Sequence, residues 1–396
     1  MNRGPSRAWS FESQFAPAAR PVTLVDVTLR DGEQTAGVVF ANTEKIRIAC
    51  LLSEIGIHEI ETGSVWICPE EREAISQISA LDLPARSLGF CRADQEDIVL
   101  AKQCGVDIAV ISASTSEMHV ERKYGRSRQW VLDQVREAAD AARDLVLPFI
   151  VSAEDASRTN LDFLLAYAVQ AEELGASRFR FCDSLSTLDP FGSFQLIQSI
   201  RQAVSLDVEV HCHNDFGMAT ANSLAGYRAG AAYITVSVNG LGERTGNAAL
   251  EEVVMALRYL DGLDLGIATP RFREVSEYVA RASSRAIPVW KAIVGANVFA
   301  HESGVHVDGV IKNPITYEAF SPDEVGLQRQ LVIGKHSGSR AIQHKFREFS
   351  IELSDDEATA ILQEVRRIAV DLKRALFDKE LVYIYQDLVE RGEVHA

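Results

Sequence analysis

From Pro21 onward, short runs rich in β-branched and aromatic residues alternate with longer stretches whose apolar residues recur at helical spacing. The runs lie near Thr23–Asp26, His58–Thr62, Ser87–Cys91, Ile108–Ser112, Pro148–Ser152, Arg178–Cys182, Val208–His213 and Tyr233–Ser237. Helical patterns fill the gaps, among them Thr43–Ile55, Pro69–Ile78, Arg128–Ala142, Leu161–Leu174, Pro190–Ala203 and Asn222–Ala229. Strand, helix, strand in repetition is the signature of βαβ units and hence of parallel pairing. Gly56, Gly105, Gly175 and Gly230 each stand between a helical pattern and the next strand, where a helix C-terminus takes a left-handed residue. Eight such units predict an α/β fold of the (β/α)₈ TIM-barrel type rather than an open doubly wound sheet.

A barrel of this kind takes about 250 residues, and the chain has 396. The barrel is expected over residues 21–285. Beyond it, Ile287–Ser321 mixes Gly, His and Asn without a clear period, and Asp355–Leu376 reads as a long amphipathic helix. Residues 286–396 therefore form a smaller, mostly helical C-terminal region. Residues 1–20 carry three arginines, three serines and one acid, Glu12, and are expected to be a flexible polar tail, with a transit peptide as the alternative.

The net charge of −16 excludes a general nucleic-acid or anionic-membrane surface, which requires clustered Lys and Arg. No apolar run reaches the roughly 18 residues needed to span a bilayer. The six cysteines, Cys50, Cys68, Cys91, Cys104, Cys182 and Cys212, are scattered singly, as reduced thiols of a cytoplasmic protein would be.

Barrel enzymes build their sites at the C-terminal ends of the strands. The first strand here runs into Asp26-Val-Thr28-Leu-Arg30-Asp31-Gly32-Glu33-Gln34, which concentrates acids, a guanidinium and an amide in one loop. The seventh ends in His211-Cys212-His213-Asn214-Asp215, and the two-residue period of a strand puts both histidines on one face. Asp31 with these imidazoles completes a two-histidine, one-carboxylate set that leaves positions open for a chelating substrate. The eighth strand leads into Asn239-Gly-Leu-Gly-Glu243-Arg244-Thr245-Gly246-Asn247, whose glycines allow a backbone to approach a ligand closely or simply turn the chain. Glu154 with Asp155, and Asp183 with Ser184, end the fifth and sixth strands; each pair reads equally as rim chemistry or as helix caps.

The segments Leu29-Arg-Asp-Gly-Glu-Gln34, followed by Lys45, and Val208-Glu-Val-His-Cys-His-Asn-Asp-Phe-Gly217 resemble the two signatures of the homocitrate synthase and α-isopropylmalate synthase family. The resemblance continues through Gly240–Ala248, Phe299–Gly309 and Gly334–Gly338, and in spacing and length it points to the bacterial homocitrate synthases of nitrogenase cofactor assembly. It implies a divalent metal (Mg²⁺, Mn²⁺ or Zn²⁺) held by Asp31, His211 and His213 with Asn247 as an outer ligand, and a Claisen condensation of acetyl-CoA, as co-substrate, with a 2-oxo acid. Arg30 would stabilise the developing alkoxide and Gln34 would help seat the 2-oxo acid. The resemblance assigns His306 and Tyr317 to a catalytic element from the neighbouring subunit of a homodimer with exchanged C-terminal elements, facing Glu154 on the barrel rim.

Two departures bear on the acceptor. The family pattern Asp-Thr-x-Gly is Asp183-Ser184-Leu185-Ser186 here, keeping a substrate-binding hydroxyl at Ser184 but not the glycine, and Gly-x-Pro is replaced by Gly63-Ser-Val-Trp66-Ile-Cys-Pro69. The expected acceptor is 2-oxoglutarate, with Arg92 at the end of the third strand pairing its distal carboxylate; a surface salt bridge is the plainer reading of Arg92. Phosphonopyruvate is the runner-up acceptor. An isopropylmalate or citramalate synthase ranks lower, because a long regulatory C-terminal domain has no room. A lyase of the hydroxymethylglutaryl-CoA type would carry a cysteine in its last glycine-rich loop, and residues 239–248 have none. A non-catalytic 2-oxo acid sensor is the alternative outside enzymology.

Overall fold

The computed structural model describes residues 20–395; the tail expected over residues 1–20 lies almost wholly outside them. Eight parallel strands close into a barrel in chain order: β1 (Thr23–Asp26), β2 (Glu59–Ser64), β3 (Arg86–Arg92), β4 (Ile108–Ser114), β5 (Phe149–Glu154), β6 (Arg178–Asp183), β7 (Asp207–Cys212) and β8 (Tyr233–Val236), with β8 pairing back onto β1. The expected TIM barrel is thus the observed fold. Between strands lie α1 (Asn42–Glu54), α2 (Pro69–Ser79), α3 (Gln95–Cys104), α4 (Arg128–Asp144), α5 (Leu161–Glu173), α6 (Pro190–Ala203) and α7 (Ala219–Arg228), followed by α8 (Leu250–Ala256) and α9 (Phe272–Ala282).

Local chemistry starts and stops most of these helices where expected, although α7 begins at Ala219, three residues ahead of the expected Asn222. Asn160, Asp189 and Ser127 accept backbone amides at the N-termini of α5, α6 and α4, satisfying donors that have no intrahelical partner. Pro69 and Pro190 occupy first-turn positions, where a missing N–H costs nothing. Gly105 ends α3 at φ +75°, a left-handed conformation that glycine adopts without steric penalty.

Strand alternation decides what fills the barrel. On β6, Phe179 turns outward and meets Tyr167 of α5 edge to face at 6.0 Å, so Arg178 and Arg180 point inward. One side of the interior is apolar, packed from Val25, Leu88, Ile108, Val110 and Ile150. The other is a ladder of buried ions: Glu59 with Arg178 (2.6 Å), Arg178 with Glu209 (2.6 Å), Glu209 with Arg180 (2.6 Å) and Arg180 with Glu61 (2.6 Å). Charges so far from water are tolerated only when paired, and every rung here is.

A second compact unit begins at Pro288. Its described elements are α10 (Gly304–Lys312), α11 (Ser339–Glu348), α12 (Asp355–Leu372) and α13 (Asp378–Glu390), with a two-stranded pair, β9 (Ala300–His301) and β10 (Gln330–Leu331). Ile342, Phe346, Ile361, Val365, Leu381 and Leu388 form its core. The expected long helix is present as α12, opened by a reciprocal Ser354/Glu357 cap, but it stops at Leu372 rather than Leu376 because Lys373 turns left-handed. α10 breaks the irregular reading of Ile287–Ser321; Gly304, His306 and Gly309 within it dilute the apolar period. Among the described residues no helix is long and apolar enough to cross a membrane.

Candidate active site at the barrel mouth

The loop after β1 opens on a single π-helical turn, Thr28–Gly32, in which the Gly32 amide donates to the Val27 carbonyl at 2.9 Å. Such turns are rare and gather at functional sites. This one buries Arg30 and Asp31 at the mouth. From β7, His211 and His213 enter the same place, and an isolated antiparallel bridge ties His213 to Asn247 of the β8 loop.

The two imidazoles meet edge to face with their Nε2 atoms 3.1 Å apart. One ligand atom from each of Asp31, His211 and His213 lies within 4.8 Å of the others. Burial, with His213 alongside, depresses His211 well below the ordinary histidine range, and burial lowers His213 likewise, so both rings are neutral at pH 7. Burial opposes the charge of Asp31, but the Arg30 guanidinium, the imidazoles and the Asn247 amide hold its carboxyl well below the usual range. The Nδ1 atoms of both histidines are buried without a hydrogen-bond partner. An anionic carboxylate and two neutral imidazoles, with nitrogens facing each other too closely for both to carry protons, make a donor set that fits a divalent cation.

Asn247 stands behind this set. Its Nδ2 donates to Asp31 Oδ2 at 2.5 Å and to the Leu241 carbonyl at 3.2 Å, which orients the carboxylate. A Cβ on Gly242 would lie 2.3 Å from Asn247 Nδ2 and 2.8 Å from Asp31 Oδ2, so the absence of a side chain there is what lets the loop close over the site.

Arg30 is clamped on several sides. Its Nε donates to Glu61, its Nη1 to Asp31 Oδ1 (3.0 Å) and more loosely to Gln34 Oε1 (3.4 Å), and its plane stacks 4.1 Å over Phe90. Burial works against its charge, but Glu61 and Asp31 raise its pKa further. The ion ladder thus ends on Arg30.

The remaining predicted residues are placed as follows. Ser184 lies on the β6 rim, its hydroxyl accepting the Asp155 amide at 2.9 Å. Glu154 ends β5 with its side chain 41% exposed, receiving the Ser114 hydroxyl at 2.5 Å. Arg92 is held bidentately by Asp97 (2.9 and 2.7 Å) and lies over Trp66, which in turn packs on Phe90. In the second unit, His306 and Tyr317 stack with centroids 4.2 Å apart, and Tyr317 is 44% exposed. A Cβ on Gly309 would fall 2.4 Å from the Tyr317 ring, so glycine lets tyrosine lie against α10. The neighbouring Glu318 is pinned by Arg329 (2.6 and 2.7 Å) and His301 (3.1 Å).

Sequence reasoning missed His119, which closes on Glu154 and Ser114, and the ladder of Glu59, Glu61, Arg178, Arg180 and Glu209. The ladder had a signal: ionisable residues two apart on three strands, Glu59/Glu61, Arg178/Arg180 and Glu209/His211. His119 had none beyond lying between a strand end and a helix.

Residues 21–279 match the family described as HMGL-like, and residues 293–373 match the one described as homocitrate synthase post-HMGL domain-like. The chain is 55% identical over 377 residues to 2-isopropylmalate synthase 2 of Caldanaerobacter subterraneus subsp. tengcongensis, covering 95% of this chain and 98% of that protein. It is 46% identical over 366 residues to homocitrate synthase 1 of Nostoc sp., covering 92% and 97%. Among solved structures, hydroxymethylglutaryl-CoA lyase from Pseudomonas aeruginosa superposes with a TM-score of 0.63 at 21% identity, over 69% of this chain and 96% of that one, a likeness of fold.

Proposed function

We propose, from the premise that this chain belongs to the HMGL-like family and within it to the homocitrate and isopropylmalate synthases, that it is an acyltransferase condensing acetyl-CoA with a 2-oxo acid and releasing CoA. The observation that carries the reading is the convergence of Asp31, His211 and His213 within 4.8 Å beside a clamped Arg30. A divalent cation held by these three residues would polarise the carboxylate-flanked carbonyl of the acid as a Lewis acid.

The rest of the chemistry belongs to the chain. The acetyl methyl group must lose a proton to a base before its carbon can attack, and the new carbon–carbon bond turns the 2-oxo oxygen into an alkoxide that needs positive charge and then a proton. Arg30, fixed by Glu61 and Phe90, brings that charge without having to reorganise. Gln34 and Ser184 supply polar contacts to the acid. We assign His306, with Glu154, to enolisation and Tyr317 to proton donation. Water then cleaves the thioester and frees the thiol. We further propose a cytoplasmic homodimer in which His306 and Tyr317 serve the barrel of the partner copy; their exposed, stacked rings and the six unpaired cysteines support this.

For the acceptor we propose 2-oxoglutarate, giving homocitrate, supported by Arg92 on the aromatic wall that continues from Arg30. A second reading, 2-oxoisovalerate as in isopropylmalate synthesis, is favoured by the 55% identical relative and by Asp97 already occupying Arg92. Coverage of 98% of that relative removes the argument from length against it. Phosphonopyruvate remains a third candidate for the same cation.

Thiol release from acetyl-CoA against 2-oxoglutarate, 2-oxoisovalerate, phosphonopyruvate and pyruvate tests all three. Release with 2-oxoglutarate that weakens about tenfold in Arg92→Ala supports the first reading, release with 2-oxoisovalerate alone supports the second, and silence with every acid would leave a sensor.

A further inference from the structure

Glu154 is the last residue of β5, and the barrel register sets it opposite Ser114, the last residue of β4. Three successive hydroxyls close on the end of β5: Ser114 Oγ donates to Glu154 Oε2 at 2.5 Å, Thr115 Oγ1 to the Glu154 carbonyl at 3.1 Å, and Ser116 Oγ to the Asp155 carboxylate. Asp155 itself is left-handed at φ +59°, a conformation that costs a non-glycine residue free energy and is held here by Arg158 at 2.6 Å and by the Ser184 hydroxyl. So much fixing of one strand end is out of proportion to a residue that merely ends a strand.

The loop after β4 then folds back, the His119 amide donating to the Ser116 carbonyl at 3.1 Å. This brings the ring over the carboxylate: His119 Nδ1 lies 3.3 Å from Ser114 Oγ and 3.6 Å from Glu154 Oε1, and Nε2 lies 3.9 Å from Asp155 Oδ2. A hydroxyl has one proton, and Ser114 spends it on Glu154 Oε2. Towards His119 the serine can only accept, so the imidazole proton sits on Nδ1, directed at Ser114 and Glu154 together. Both carboxylate oxygens are thereby braced from the barrel side, while the side chain stays 41% exposed towards the mouth.

We propose that His119 is a positioning residue that, with Ser114, holds the Glu154 carboxylate in the orientation required for proton transfer in the condensation. This rests on the acetyl-CoA condensation reading above. In this role His119 acts through Glu154 rather than on the substrate, as ligand-orienting partners do behind many active-site groups.

The test is a double-mutant cycle on thiol release with the best 2-oxo acid. His119→Ala is expected to lower kcat about 10- to 100-fold with the KM of the 2-oxo acid changed less than about twofold. In a Glu154→Gln background the same substitution should cost less than about threefold, because there is no carboxylate left to position. His119→Asn places an amide N–H where Nδ1 stood and should recover most of the rate, whereas His119→Gln places it at the Nε2 position and should not; these two keep the question answerable if the alanine variant fails to fold. Equal losses in the two backgrounds, or recovery by Gln and not Asn, would overturn the role of His119 while leaving the condensation intact. A wild-type chain that releases no thiol with any 2-oxo acid would instead take down the functional reading and this proposal with it.

Discussion

Asp26 closes β1 fully buried, with Oδ1 accepting the Thr28 amide at 2.8 Å and Oδ2 without a hydrogen-bond partner. Burial, reinforced by the charge of Glu251, raises its pKa from 3.8 to about 7. The folded value lies above the unfolded one, so folding favours the protonated form. Its contribution to stability is complete below about pH 4 and is lost as the pH rises through about 7. Asp26→Asn, neutral at every pH, should therefore gain on the wild type by a few kcal/mol between about pH 5 and about pH 8, read from urea unfolding at both values. A difference that does not change with pH would show Asp26 ionised throughout. Gly242 yields a second expectation at this scale. Gly242→Ala must push Asn247 and Asp31 apart, so divalent-cation affinity measured by calorimetry should fall at least about tenfold while the far-UV circular dichroism of the barrel is kept. Unchanged affinity would mean that Asp31 does not depend on the loop for its place.

Among the elements, the strands were legible because their outward faces pack on helices and read as β-branched and aromatic runs, and the helices because capping residues such as Asn160 and Asp189 mark their starts. The inward faces of β2, β6 and β7 were not. A charge every second residue ordinarily means a solvated face, and only closure of the barrel, which sets Arg178 and Arg180 against Glu59, Glu61 and Glu209, turns those positions into an interior. The clustering of Asp31, His211 and His213 was readable because the two histidines share a strand face and the aspartate follows a strand end; His119 was not, because its loop has no periodicity to read. The ladder has a measurable consequence. Burial works against the charge of Glu209, but Arg180 and Arg178 hold its pKa low. Glu209→Gln removes the one carboxylate shared by two buried guanidinium groups, leaving Arg178 only Glu59 and Arg180 only Glu61, and should destabilise the barrel by about 3–5 kcal/mol in chemical unfolding. A loss below about 1 kcal/mol would mean that water reaches the ladder.

For the whole molecule, the residues assigned above to the proposed reaction fall in both units: Asp31, His211 and His213 lie in the barrel, and His306 and Tyr317 in the smaller unit beginning at Pro288. The family resemblance, rather than spacing, singled out His306 and Tyr317, since a loop histidine and a tyrosine in a stretch without a period carry no chemistry of their own. If each active site draws on two copies, Glu154→Gln and His306→Ala proteins that are separately reduced to a small residual rate should recover about a quarter of the wild-type rate when their subunits are exchanged, as random pairing of the two chains dictates. No recovery on demonstrated exchange would confine each site to one chain. The measurement that bears most directly on the account as a whole is titration of metal-free protein with Mn²⁺ by calorimetry, on the wild type and on Asp31→Asn, His211→Ala and His213→Ala. One equivalent bound by the wild type, with affinity lost in all three variants, is the predicted result; stoichiometric binding that survives in every variant would contradict it.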